Sequence, residues 1–361
     1  MRIIDVKATP LRTHSVFVQV LTDEGVTGIG ECSPMNPLVL SHFVETALKP
    51  IILNEDPLET ERLWNNMTFR TYKLGVQGVQ PEAIAGIDIA LWDIKGKVTG
   101  LPIHTLLGGC CRKKVLMYAS IGGGAHMAVS DMAAYVQQFL EKGFKAFKIR
   151  MDYVGSTAGA QDVDLKKDYE MFKAIRELIG DDIPLSFDAN NGYSVSAAIA
   201  QGRRFEELGI YHYEEPVAQF DYRGIAQVAN ALDVPVSAGE HEYNRWQFRD
   251  LIEQAQVDII QPDVVKCGGI SEMQKIAVLG SVYNKHFVPH QTQPTIGTAA
   301  NLHVVAAHAG ATRPQEYSGQ NLYLDDLFEE PLVLEDGYLY VPQKPGLGLE
   351  LNAKKMMACA L

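Results

Sequence analysis

Between Asp188 and Glu316 the chain repeats one hydropathy pattern six times, a short apolar run ending on an ionisable residue. PLSFD closes on Asp188, IYHYE on Glu214, VPVSAGE on Glu240, VDIIQPD on Asp263, HFVPH on His290 and TRPQE on Glu316. Successive end points lie 26, 26, 23, 27 and 26 residues apart. That period accommodates one strand, one helix and two loops. Repeated parallel strand–helix units close into a barrel, and catalytic side chains then stand where the strands end. The pattern predicts an α/β protein with a (β/α)8-type barrel, and it places five carboxylates and one imidazole at a single mouth.

Upstream the pattern is different. Ile3, Val6 and Ala8 alternate up to a break at Pro10 to Ser15, and VFVQVLTDEGVTGIGE reads as two strands around the turn Asp23-Glu24-Gly25. An antiparallel ribbon without an intervening helix is not a barrel unit. Helical patterns follow near 40–53, 57–68 and 81–99. The last has Ile84, Ile87, Ala90, Leu91 and Ile94 on one face, Pro81 near its start and Gly100 at its end. Residues 1–112 are therefore expected to form a separate α+β domain. The barrel, 113–319, is expected to open near Val115, with a helix over 127–142, a strand over 144–150 and a helix over 165–179. The polar stretch MDYVGSTAGAQDVD lies between the last two, at the strand end where sites are built. The tail, 320–361, carries short strand patterns and is expected to return to the first domain.

A length of 361 residues suits a barrel plus one further domain. The net charge of −12 argues against nucleic acid as a partner, because phosphates need a basic face. It leaves an anionic substrate open, since a divalent cation supplies local positive charge. The five cysteines include no CxxC pair, which fits reduced thiols in a cytoplasm. No signal pattern opens the sequence and no 18-residue apolar run occurs, so a soluble protein without a membrane partner is expected.

The candidate chemistry follows from the strand ends. Asp188, Glu214 and Glu240 end three consecutive units, and an all-oxygen carboxylate set suits a hard cation, Mg²⁺, one per chain. Zinc more often selects histidine or cysteine. Asp263 and His290 end the next two units, near enough for the aspartate to hold one imidazole nitrogen and raise the basicity of the other. Glu316, on the last unit, is placed to offer a proton or hydrogen bond to a substrate oxygen. Lys148 and Arg150 alternate in FKAFKIR and so share a face, where they would meet an anionic substrate. Lys266 lies near the same mouth. Asn190 and Asn191 follow the first carboxylate, His241 the third, and Gln291 and Gln293 the imidazole. Tyr72 and Lys73 stand in FRTYKLG of the first domain. These are the candidate substrate contacts.

The segments GIDIALWDIKGK, KAFKIR, FDANNGY, YEEP, AGE, QPDVVKCGG and VPH, in this order and spacing, resemble the enolase superfamily, and within it the mandelate racemase group. The resemblance covers essentially the whole chain. It implies a modified TIM barrel closed by an α+β capping domain built from the N-terminal segment and the C-terminal tail. It implies Mg²⁺ on Asp188, Glu214 and Glu240, with Glu215 in support, an Asp263–His290 dyad as base, and Glu316 as donor to the substrate carboxylate. It implies a homo-oligomer as well. Aspartate at 263, where the muconate lactonizing group places lysine, is similar to the racemase and acid-sugar dehydratase group. Two features depart from the pattern. Arg150 stands where that group often has a second, proton-transferring lysine, and arginine stays protonated. The loop Pro10 to Ser15 is short. The reaction expected is Mg-dependent removal of the α-proton of a sugar acid, then β-elimination to a 2-keto-3-deoxy acid. A cycloisomerase opening a sugar lactone or anhydro ring comes second, on the resemblance of GIDIALWDIKGK through GGISEMQKIA to galactarolactone cycloisomerase. A racemase or epimerase comes third because of Arg150. A silent metal-binding scaffold is the non-enzyme alternative.

Overall fold

The computed structural model describes residues 1–153, 157–292, 295–318 and 326–361. Gln293 lies outside the described residues, as does part of the polar stretch 151–164. The chain opens with an antiparallel meander, β1 (Ile3–Pro10), β2 (Val16–Thr22) and β3 (Thr27–Cys32). The break at Pro10 to Ser15 is the β1–β2 connection, closed by Leu11 N donating to Ser15 O at 2.8 Å. Helices span Thr60–Thr71 and Val79–Thr99. The pattern over 40–53 resolves into Pro37–Phe43, a π turn at Val44–Leu48 and a last turn at Lys49–Ile52. Pro50 within that last turn has no amide hydrogen to bond back into the preceding turn.

Helix Val79–Thr99 lies against β3 at backbone distance. A Cβ at Gly28 would fall 2.0 Å from Ala90 O, and one at Gly30 would fall 1.9 Å from Gly86 O. Only glycine permits such an approach. The helix was expected to bury one face, but it is buried nearly all round, including Gln80, Glu82, Asp88 and Asp93. It is wedged between the meander and the barrel, so its polar side chains serve as ties. Asp93 accepts from Ile29 N at 3.0 Å and from Leu347 N at 2.9 Å. Asp88 accepts from Ser271 N at 2.9 Å and Ser271 Oγ at 2.6 Å, and Trp92 Nε1 donates to the same hydroxyl at 2.9 Å. Trp64 Nε1 donates to Gly268 O at 2.8 Å.

Eight parallel strands form the barrel: β4 (Lys114–Ile121), β5 (Phe147–Arg150), β6 (Leu185–Asp188), β7 (Ile210–Glu214), β8 (Val236–Ala238), β9 (Ile259–Ile260), β10 (His286–Phe287) and β11 (Gln315–Tyr317). Their order is β11-β4-β5-β6-β7-β8-β9-β10. Gln315 Nε2 on β11 reaches Phe287 O on β10 at 3.3 Å. Helices follow the first seven strands, among them Val129–Glu141, Leu165–Ile179 and Ile296–Ala307. After β11 the strand–helix alternation stops, and the tail divides its contacts. Its hairpin, β12 (Leu334–Glu335) and β13 (Tyr338–Tyr340), pairs antiparallel with the start of β4. Its last residues reach the N-terminal segment, where Arg12 N donates to Cys359 O and Leu361 N to Pro10 O, both at 2.9 Å. No helix among the described residues is long and apolar enough to cross a membrane.

Register sets the height of the site. Arg150, Asp188 and Glu214 are lateral partners across β5, β6 and β7, so they stand level at the strand ends. Lys148, one pleat lower, is level with Ser186.

The Asp88–Ser271 tie is testable. Burial pushes the Asp88 carboxyl up to about 7 from an ordinary 3.8, although its bonds to Ser271 favour the charged form. A raised folded-state pKa gives stability that is complete below about pH 4 and lost as pH rises through about 7. Asp88→Asn should flatten that part of the stability–pH profile relative to the wild type in urea unfolding. Asp88→Ala should cost about 1–3 kcal/mol, because it strands a buried N–H and a hydroxyl.

Candidate active site

The strand ends converge as expected, but not all at the same offset. Asp188 and Glu214 are the last residues of β6 and β7. Glu240, Asp263 and His290 lie two to three residues beyond β8, β9 and β10, whose ladders are short. Glu316 lies within β11. All six side chains are buried.

Lys148 is the centre of the cluster. Its buried ammonium pairs with Glu214 Oε1, lies 2.8 Å from Glu316 Oε1 and 3.7 Å from Asp188 Oδ2. Burial alone would lower its pKa, but Glu214 and Glu316 raise it well above the ordinary lysine value. Burial would likewise raise Glu214, yet Lys148 and His212 hold it well below the usual carboxylate range. Asp188 receives less: burial and the Glu214 charge push its pKa well up. Its Oδ1 accepts from Asn190 N at 2.7 Å.

On the other side, His290 Nδ1 lies 2.7 Å from Asp263 Oδ2, and Nε2 lies 2.9 Å from Glu240 Oε2. Burial opposes the imidazolium, but Glu240 and Asp263 between them raise its pKa well above the ordinary value. Glu316 Oε2 accepts from Gln291 N at 2.8 Å, so both its oxygens accept here and neither donates. Gln291 turns toward Thr298 and Asn301 and serves as backing for that carboxylate. Arg150 pairs with Asp152, whose second oxygen accepts from Gly123 N. Burial works against the Arg150 charge, but Asp152 and Asp188 keep it protonated. Lys266 is buried, with its pKa raised, against burial, by Glu240 and Asp263. His241 Nε2 lies 3.3 Å from Glu240 and 3.5 Å from Glu215. Tyr72 stands apart: it is half exposed and lines, with Trp64, Phe69 and Trp246, a separate cavity of about 370 Å³.

Glu215 is more involved than a strand neighbour should be. Its φ of 40° breaks the in–out alternation, so both glutamates of the pair are buried at the mouth. Asn191 Nδ2 donates to it at 2.7 Å. Among the described residues, the donor atoms that lie within 4.8 Å of one another belong to Glu215, Glu240 and His241, not to Asp188, Glu214 and Glu240. In the expected trio Glu214 is engaged by Lys148, and Glu240 is turned toward His290. The donor set nevertheless fits a hard divalent cation. It is buried, made of carboxylate oxygens, and short of positive charge, as the raised Asp188 and Glu215 show.

A lower layer escaped the sequence reading. His212 Nδ1 lies 2.9 Å from Ser186 Oγ, and Gln261 Nε2 donates to Glu214 Oε2 at 2.6 Å. Tyr118 packs its ring on both Lys148 and His212. The signal was strand parity: Ser186, His212 and Gln261 each precede a strand-end acid by two residues and so share its face.

Removing Lys148 should test this account of the cluster. Lys148→Met strands two buried carboxylates, which should cost about 3–5 kcal/mol in urea unfolding. Because Glu214 is depressed, the loss should be complete above the ordinary glutamate value of 4.5 and shrink as pH falls through it.

Comparison with known proteins shows the family of the chain. Residues 6–108 match the family model of the mandelate racemase/muconate lactonizing enzyme N-terminal domain, and residues 131–355 match the enolase C-terminal domain-like model. The chain is 36% identical over 346 residues to an arabinonate dehydratase of Saccharolobus solfataricus, covering 93% of this chain and 88% of that one. It is 35% identical over 351 residues to a D-galactarolactone cycloisomerase of Agrobacterium fabrum, covering 94% and 89%. Among solved structures, a mandelate racemase/muconate lactonizing protein from Paracoccus denitrificans, complexed with magnesium, superposes with a TM-score of 0.95 at 37% identity, covering 99% and 97%.

Proposed function

We propose a reaction for a chain that belongs to the mandelate racemase/muconate lactonizing enzyme family of the enolase superfamily: the dehydration of a sugar acid to a 2-keto-3-deoxy acid. The carrying observation is the asymmetry of the mouth. One imidazole, His290, is fixed at Nδ1 by Asp263 on one side, while the matching position across the mouth is Arg150, held protonated by Asp152. A site with one base and one permanent cation can remove a proton, but cannot deliver one to the opposite face of the same carbon.

The residues divide the work accordingly. His290 takes the α-proton at Nε2 once that nitrogen has given up the contact with Glu240 that favours its charged form, and Asp263 fixes the tautomer and stabilises the imidazolium that results. Lys148 stands where negative charge develops on the substrate carboxylate, and it is already in place before the reaction. Glu316 and Gln291 keep that ammonium positioned. Arg150 grips a substrate oxygen from the other face. The carbon–oxygen bond at the β-position then breaks, the leaving hydroxide takes a proton from His290 to become water, and the enol tautomerises to the keto acid. Asp188, Glu214 and Glu240 would hold one Mg²⁺, with Glu215 and His241 beside them. When bound, that ion supplies Lewis-acid stabilisation of the substrate carboxylate.

A cycloisomerase is the second reading. The same α-proton removal and β-elimination opens an anhydro or lactone ring, and a relative carrying that name is nearly as similar as the dehydratase. The five cysteines are free, which supports a reducing cytoplasm, and we expect self-association.

Screening aldonates, aldarates and their lactones in D2O by NMR tests the reading. Keto-acid formation abolished by EDTA and restored by magnesium is expected. Turnover indifferent to EDTA, or no product and no α-proton exchange from any acid, overturns it. Ring opening without loss of water selects the cycloisomerase. His290→Asn should lower turnover about 10²–10⁴-fold. Magnesium binding, followed by calorimetry, should survive that change.

A further inference from the structure

A second open cavity meets the carboxylate cluster from the side of β6, β7 and β8. Its volume is about 370 Å³, and its walls include Gln161, Asn190, Asn191, Gln219, Phe220 and His241. Three of these walls also hold the reaction centre. Asn190 N donates to Asp188 Oδ1 at 2.7 Å, Asn191 Nδ2 donates to Glu215 Oε2 at 2.7 Å, and His241 Nε2 lies 3.3 Å from Glu240. The cavity therefore starts where the acidic cluster ends.

The lining is unlike the cluster itself. Among the described residues it contains no lysine, arginine, aspartate or glutamate, and four of the walls are carboxamides. A carboxamide offers both donors and acceptors, which is what a hydroxyl needs. Asn191 holds Glu215 through its amide nitrogen, and its buried Oδ1 has no partner among the described residues. Phe220 is 86% exposed, a bare ring at the rim with an apolar face. Asn190 and Asn191 both hold positive φ, 46° and 64°, which is costly away from glycine and recurs at binding sites. His241, its one ionisable wall among the described residues, is turned to Glu240 and Glu215. An uncharged chain of hydroxymethylene groups finds donors, acceptors and a ring to cover.

We infer that this cavity is the subsite for the neutral polyhydroxylated end of the substrate, with Gln219 and Phe220 as its specificity-determining residues. The inference rests on the sugar-acid reading and adds to it the direction in which the sugar chain runs: away from Lys148, past Asn190, out over the loop after β7. Gln219 and Phe220 touch none of the reacting groups, so they act on chain length and not on chemistry.

The test compares chain lengths on the magnesium-loaded enzyme. The wild type, Gln219→Ala and Phe220→Ala are assayed with D-glycerate and a panel of five- and six-carbon aldonates, and binding of the same acids is measured by calorimetry. Each variant should raise KM for the best long-chain acid about tenfold, the size of one or two neutral contacts. It should leave kcat within twofold and leave glycerate unchanged. Variants that weaken glycerate and the longer acids equally, or neither, overturn the subsite while the dehydration reading stands. A wild type that turns over no acid sinks the dehydration reading. Calorimetry then judges the subsite alone, and equal affinity for glycerate and every longer acid overturns it.

Discussion

Like charges gather at this barrel mouth because Lys148 reaches between them. Its ammonium is buried with Glu214, Glu316 and Asp188 around it, and no water shell offsets their repulsion. One lysine does not balance three carboxylates, and Glu215, Glu240 and Asp263 add to the excess. The structure answers by sharing protons and charges. Glu240 leans on His290, Glu215 on Asn191 and His241, and burial and the Glu214 charge push the Asp188 pKa well up. The result is a site that is short of one compact positive charge. Such a shortfall is costly for folding, and a bound divalent cation would relieve it.

Much of this was legible in the sequence, and what was not has physical reasons. The period of about 26 residues exposed the barrel because parallel strands need crossovers of nearly constant length. Asp188 and Glu214 are the last residues of their strands, as that period placed them. Glu240, Asp263 and His290 reached the same mouth from extended segments past much shorter ladders, so phase alone placed them two or three residues off the strand ends. Glu215 had a supporting role only through the family resemblance; period-two alternation would send it outward, but a left-handed backbone turns it in. Ser186, His212 and Gln261 were passed over because each looks like an ordinary strand residue until its parity is compared with the acid two positions on. Tyr72 was placed by its loop. Loop position in a sequence says little about which of two cavities a side chain will line.

Helix Val79–Thr99 is the clearest case of tertiary context overriding pattern. Its apolar spacing describes one face, but the molecule uses all of them. Gly28 and Gly30 let the meander close on it from one side, and the barrel takes the other. Acids that a periodicity argument assigns to solvent, Asp88 and Asp93, become the hydrogen-bond anchors between layers.

Those anchors fall on a particular stretch. Trp64, Asp88 and Trp92 grip Gly268 and Ser271, where the loop that carries Asp263 and Lys266 runs into helix Ile270–Val282. The capping domain and the Asp263–His290 pair are thus spliced through one short segment of backbone. Chimeras that exchange capping domains between relatives would inherit a mismatch there. A transplanted capping domain has to bring matching indoles and a matching carboxylate for that segment, or the recipient's imidazole is left out of line.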